Sequence, residues 1–278
     1  MKRALFLCAA LCALRWCSPA SRARGRSADL PQPPATGATA QLHDAWDALL
    51  RAHVHDGRVD YVALATRDMG KLDRYLIALA QVHADSLPGP DRMAYWINLY
   101  NATVVRGVCA RWRPGWRPDA DQFGLFKAPI VRTPDGAMPL DALEHTVMLR
   151  QVPDPRLHAG LCCASVSCPP LRAGAYRGVD VDSLLDQAMR SFVNDPARNR
   201  FDEAKRTMTI SRVFDWYAKD FGGPEAVPQF LEFYYGKPLA GWKVQFADYD
   251  WALNEVTPAA AAPGATPPAP ASPAKKKK

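Results

Sequence analysis

The chain has 278 residues, of which 48% are hydrophobic, enough for one large core or two small ones. Its formal charge of +7 is unevenly placed: ten of the 35 bases and one of the 28 acids fall in residues 1–40 and the last four positions, leaving 25 bases against 27 acids in between. That excludes a nucleic-acid-binding body, which needs basic residues clustered on the fold itself.

The N-terminus reads as an export signal. Lys2 and Arg3 precede an apolar run, Ala4–Leu14, too short to span a bilayer, and small residues follow with cleavage points after Ala20 or Ala23. Residues 1–23 are therefore expected to be a secretion signal and the product exported, periplasmic or secreted, with no membrane span once the signal is removed. Cleavage removes Cys8, Cys12 and Cys17 and leaves Cys109, Cys162, Cys163 and Cys168. These are too few for a disulfide scaffold, though an oxidising compartment permits one or two bridges. Residues 24–40, rich in Arg, Pro, Ala and Ser, read as a flexible linker.

Leu42, Trp46, Leu49 and Leu50 keep helical spacing, with His53 and His55 at a solvated helix end before the Asp56-Gly57 turn. Leu72, Tyr75, Leu76, Leu79 and Val82 form the face of a second helix. After the breaker Asp85–Pro90, a third helix over Ala94–Trp112 is apolar almost all round and so is expected to be buried. Asn98 and Asn101 lie on one face of it, either tying loops to the core or orienting a catalytic group. Ile130–Arg132 before Asp135-Gly136 predicts a hairpin. Asp141 is expected to cap a short helix with Glu144 completing a capping box, and His145 follows it.

Leu157–Pro170, LHAGLCCASVSCPP, holds three cysteines and a histidine. Read as a strand, it puts His158 and Cys163 on opposite faces, so the two can pair only if the strand ends or bulges before Cys163. Cys163 and Cys168 are close enough in sequence to close a disulfide loop. Val181–Val193 reads as an amphipathic helix, residues 200–210 as a second hairpin, and Val213–Tyr217 and Pro224–Tyr235 as helices, the latter stopped by Gly236. Trp242–Phe246 reads as a last strand. Residues 255–278, an Ala/Pro tract ending in four lysines, read as a disordered tail.

Several phrases carry a resemblance: VDY at 59–61, YWINLYNATVVRGV at 95–108, LDALEHTVMLR at 140–150, DPRLHAGLCCASVSCPPLR at 154–172, ISRVFDWYAKDF at 210–221 and DYDWALN at 248–254. In these the chain resembles the domain-of-unknown-function family 547 (DUF547), departing from it at Pro139 and Cys162. The resemblance implies a domain over 41–254 and no settled activity. The expected fold is α+β, a single domain with a buried central helix packed on short strands and hairpins.

Three readings stay open. The first is a thiol-dependent hydrolase of the peptidase or amidase kind, with Cys163 beside His158 or His145 and oriented by Asn98, Asn101 or Glu144. The second is a non-catalytic envelope binding module stapled by a Cys163–Cys168 bridge. The third is a metal site on Cys163, Cys168, His158 and His145, which lacks the paired spacings of zinc sites. The first is preferred, because Cys, His and paired Asn are an unusual set for scaffolding. No cofactor is implied. The expected partner is an envelope or extracellular protein or peptide.

Overall fold

The computed structural model describes residues 41–256. The signal-like segment, the linker and the tail from residue 257 lie outside the described residues. Glu255 and Val256 do not belong to the tail: Glu255 bridges Val59 in parallel, Val256 N–H donates to Val59 O, and Trp112 Nε1 donates to Glu255 Oε2.

Helix α1, Asp44–His53, buries Trp46, Leu49, Leu50 and His53, a stripe at helical spacing, with acids in its first turn and bases in its last. The hairpin β1 (Val54–His55) and β2 (Arg58–Val59) turns at Gly57, whose φ of +76° suits glycine. A Cβ there would lie 2.4 Å from Pro170 Cβ, so this turn packs directly under the end of the cysteine-rich stretch. Helix α2, Met69–Leu79, buries Leu72, Tyr75 and Leu79, and Tyr75 stacks on Trp46 at 6.0 Å. His53 is not solvated as expected; it is buried, and its Nε2 meets Asp68 Oδ2 at 2.8 Å, while His55 is exposed.

Helix α3, Gly89–Arg111, is the central helix. It begins five residues earlier than its apolar run because Pro90 and Asp91 suit a first turn, the one by its fixed φ and the other by its charge. Every residue from Ala94 to Val105 is buried, so α3 contacts neighbours on all sides. One of them is the segment Ala120–Lys127, which contains three consecutive left-handed residues, Asp121, Gln122 and Phe123. The hairpin β3 (Val131–Thr133) and β4 (Gly136–Met138) forms as its Asp-Gly turn predicts.

The expected capping box is absent. The chain is helical from Leu140, Pro139 precedes the first turn without a side-chain cap, and Leu143–Met148 is π-helical with Glu144 buried. The expected strand at Leu157 is also absent. Leu157–Gly160 is one buried helical turn, entered through Asp154, whose Oδ1 accepts from Arg156 N–H, and the chain becomes extended only at Leu161. Four apolar residues are too few for periodicity to separate helix from strand. Packing favours the turn: a Cβ on Gly160 would lie 2.8 Å from Leu185 of helix α4, Val181–Val193.

The antiparallel pair β5 (Arg200–Asp202) and β6 (Thr207–Ile210) is extended by β7 (Lys243–Phe246), parallel to β6. Between them come the short helix Val213–Trp216 and α5, Val227–Tyr235, stopped by left-handed Gly236. Two apolar clusters result, one around α1–α3 and one around α5 and the three-stranded sheet, and α4 spans both: Val181, Leu184 and Leu185 belong to the first, Met189, Phe192 and Val193 to the second. The molecule is α+β, with the central helix and hairpins that the sequence predicts. No helix among the described residues is long and apolar enough to cross a membrane.

Candidate active site

The site is built where the cysteine-rich stretch crosses the last segment of the chain. Asn254 N–H donates to Ala164 O, Val166 N–H to Ala252 O, and Ser167 N–H to Asp250 O, so residues 164–167 are laced to residues 250–254. Arg198 secures the far end through the carbonyls of Val166 and Cys168 and an ion pair to Asp195. Ala164, directly after Cys163, has a φ of +67°, a left-handed conformation that an L side chain resists. Such strain persists where the surroundings over-determine it, as this lacing does.

Cys163 is a free, half-buried thiol. Its Sγ lies 3.1 Å from Ser165 Oγ and 3.3 Å from Tyr249 Oη. Ser165 Oγ and Tyr249 Oη lie 2.9 Å apart, so the sulfur and the two hydroxyls form a closed triangle of hydrogen-bonding groups. Burial acts to raise the Cys163 thiol pKa; hydrogen bonds from Cys168, Ser165 and Tyr249 outweigh it and bring the thiol down to about 7. Tyr249 is pushed far up by burial, with the neighbouring thiols adding, so it stays a protonated donor.

Cys168 is also a free thiol and is buried. Its Sγ accepts the Cys163 N–H at 2.8 Å and lies 3.7 Å from Leu161 O, and burial raises it well above an ordinary thiol. The Cys163–Cys168 bridge of the second reading is not formed in this structure. The Cys162 sulfur accepts from Asn254 Nδ2 at 3.4 Å and also faces Cys168, adding to its rise.

No imidazole touches the sulfur. His158 is buried, its Nε2 is 2.8 Å from Asp220 Oδ2, and its ring lies 4.0 Å from that of Tyr217. Burial lowers its pKa against the raising pull of Glu144 and Asp220. His145 is exposed, bonded to Asp141 O and stacked on the same ring, Tyr217, at 5.8 Å. The Tyr217 phenol faces the Glu144 carboxylate and is raised, chiefly by burial and then by that charge. His145, His158 and Glu144 thus converge on Tyr217, and the sulfur converges on Ser165 and Tyr249. The two asparagines tie loops to the core: Asn98 exchanges bonds with both backbone groups of Tyr176, and Asn101 bonds Gly160 O and Cys162 N–H. Asn101 thereby fixes the backbone one residue before the thiol. Among the described residues no three His, Cys, Asp or Glu side chains are grouped to hold a metal ion.

An aromatic shelf borders the thiol. Tyr249 packs on Trp251 at 4.5 Å and on Trp216 at 4.8 Å, and Trp251 meets Phe123 at 5.0 Å. Trp216 is 50% exposed. Phe123 owes its place to the left-handed run, each residue of which opposes the chain's handedness by about 1–2 kcal/mol. Ser165, Tyr249, Tyr217 and Asp220 were not among the residues the sequence singled out, although three of them sit inside the phrases DYDWALN and ISRVFDWYAKDF.

The fold and the site define an α+β protein with a free thiol held by two hydroxyls at a junction of distant chain segments. Residues 84–193 match the family described as "Protein of unknown function, DUF547", so this stretch carries the DUF547 domain. The match takes in Glu144, His158, Cys163 and Ser165; Tyr217, Asp220 and Tyr249 lie beyond its end. No curated protein and no solved structure matches the chain.

Proposed function

We propose that the protein is an exported thiol-dependent hydrolase of peptide or amide bonds, with Cys163 as its nucleophile. One observation carries this reading: a free thiol with both hydroxyls of Ser165 and Tyr249 on its sulfur and its pKa brought to about 7. A thiolate, not a thiol, is the nucleophile, and hydrogen bonds that favour the charged form supply it here in place of an imidazolium. Cys163 Sγ would add to the acyl carbon and form a thioester, the expelled amine leaving with the thiol's proton. Water would then release the acid and restore the thiol. His158, held by Asp220 and kept below the usual imidazole range by burial, is the group we assign to activating that water. Asn98, Asn101 and Glu144 act as positioning residues. The aromatic shelf is the surface on which an envelope peptide would lie.

The test is hydrolysis of activated acyl esters and peptide amides by the intact protein. Cys163→Ala should abolish turnover while leaving the melting temperature nearly unchanged; an unchanged rate in that variant overturns the reading. The shelf, with Trp216 half exposed, also favours the second reading, a binding module without catalysis. Under it, Trp216→Ala removes peptide binding from a protein that shows no turnover. Export is checked by N-terminal sequencing of secreted material, which should begin at Ser21 or Arg24.

A further inference from the structure

We propose that Cys163 and Cys168 form a peroxide-responsive thiol pair, in which a hydroperoxide oxidises Cys163 and Cys168 resolves the product as a reversible disulfide. The two thiols differ in the way such a pair requires. Cys163 is a half-buried residue, whereas Cys168 is 4% exposed. They are already in contact: Cys163 N–H donates to Cys168 Sγ at 2.8 Å. That contact limits the Cα–Cα separation to about 7 Å by standard bond lengths, at the upper edge of what a disulfide spans. The intervening residues, Ala164–Ser167, include no bulky side chain. The thiol lowered to about 7 is Cys163 and the raised one is Cys168, the order an attacking and a resolving cysteine need. Cys162 is a third sulfur beside Cys168, and its own sulfur accepts from Asn254 Nδ2 at 3.4 Å.

The chemistry balances with a hydroperoxide as the oxidant. Cys163 thiolate attacks the terminal peroxide oxygen, the O–O bond breaks, and the alcohol leaves with a proton, giving Cys163 sulfenic acid. Cys168 sulfur then attacks Cys163 sulfur, the S–O bond breaks, and water leaves with the Cys168 proton. Two thiols have lost two electrons, and one hydroperoxide has become one alcohol and one water. A dithiol reductant reverses the bridge by exchange. The pair uses only the thiols and does not depend on acyl chemistry at Cys163.

The experiment treats the full chain, reduced and desalted, with one equivalent of hydrogen peroxide, followed by peptide mapping. The expected result is a Cys163–Cys168 cross-linked peptide lighter by two hydrogens, loss of Cys163 alkylation, and full recovery with dithiothreitol. Cys168→Ser should stop at a sulfenic acid on Cys163, trapped by a cyclic 1,3-dione. If that variant does not fold, the wild-type map is sufficient: sulfinic acid on Cys163 without a bridge, a bridge to Cys162, or no oxidation at Cys163 overturns the proposal. Bridging in a protein that hydrolyses nothing sinks the hydrolase reading alone, and turnover abolished by Cys163→Ala without bridging sinks this one alone.

Discussion

Cys163 is set apart from the other three cysteines of the described body by its neighbours. Burial drives a thiol up, as it does Cys168; at Cys163 the contact with Cys168, then those with Ser165 and Tyr249, reverse the sign. The consequence is a pH dependence. The alkylation rate of native protein should rise through a midpoint near 7, and Tyr249→Phe, which removes one donor and keeps the ring, should move that midpoint upward. An unmoved midpoint would show that the phenol does not hold the sulfur. Because the folded thiol titrates below its usual value of 9.0, the folded state binds fewer protons than the unfolded state between about 7 and 9, and stability rises with pH across that window. His43 acts lower on the scale. Burial, reinforced by Arg177, brings its pKa to about 4, and its Nδ1 bonds the Tyr75 hydroxyl at 2.8 Å. The unfolded chain binds the proton first as pH falls, so the stability tied to neutral His43 is complete above 6.5 and is lost down to about 4. Urea unfolding at stepped pH should show that decline, flattened in His43→Gln. His158, also lowered by burial, adds to the same limb.

Among the elements, α3 was the most legible, because a run apolar on all faces has few other places to go than a core. Its Trp96 is buried, with Nε1 bonded to Gln151 Oε1 at 3.2 Å. Trp96→Ala should cost about 3–5 kcal/mol, measured by denaturant unfolding, and a loss under about 1 kcal/mol would mark a surface site. The hairpins were legible from their turns, and α4 from its period. Leu157–Gly160 was not, since four apolar residues fit either helix or strand and the decision fell to the Gly160–Leu185 contact. Glu144 read as a cap by its spacing from Asp141, yet the π-helical turn carries it inward to Tyr217. The thiol's partners were illegible for a different reason. Ser165 is two residues from Cys163 and Tyr249 is 86, and no periodicity links positions that meet only through the tertiary fold. The family-like phrases marked the segments that meet without saying which atoms do.

At the scale of the molecule, the two apolar clusters are not independent, because α4 contributes three side chains to each. Neither half can melt without exposing part of the other's core. Thermal unfolding of residues 41–256 should therefore be a single transition by both far- and near-ultraviolet dichroism, and separate midpoints would show that α4 does not couple the clusters. The first and last described segments are coupled as well: Tyr61 hydroxyl donates to Asn254 Oδ1 at 2.7 Å, and Val59 N–H to Asn254 O. The strand order follows the same plan, with β7 reaching back to lie parallel to β6.

The lacing of residues 164–167 to residues 250–254 also sets an order of events in time. A ribosome delivers Cys163 long before it delivers Tyr249, and until the closing segment arrives the sulfur lacks its phenol donor and Ala164 has nothing to hold its left-handed backbone. A nascent chain, or one clipped after Phe246, has Cys168 and Ser165 beside that sulfur but no Tyr249. The full set of contacts around the sulfur is a late property of the polypeptide, finished only with its closing segment.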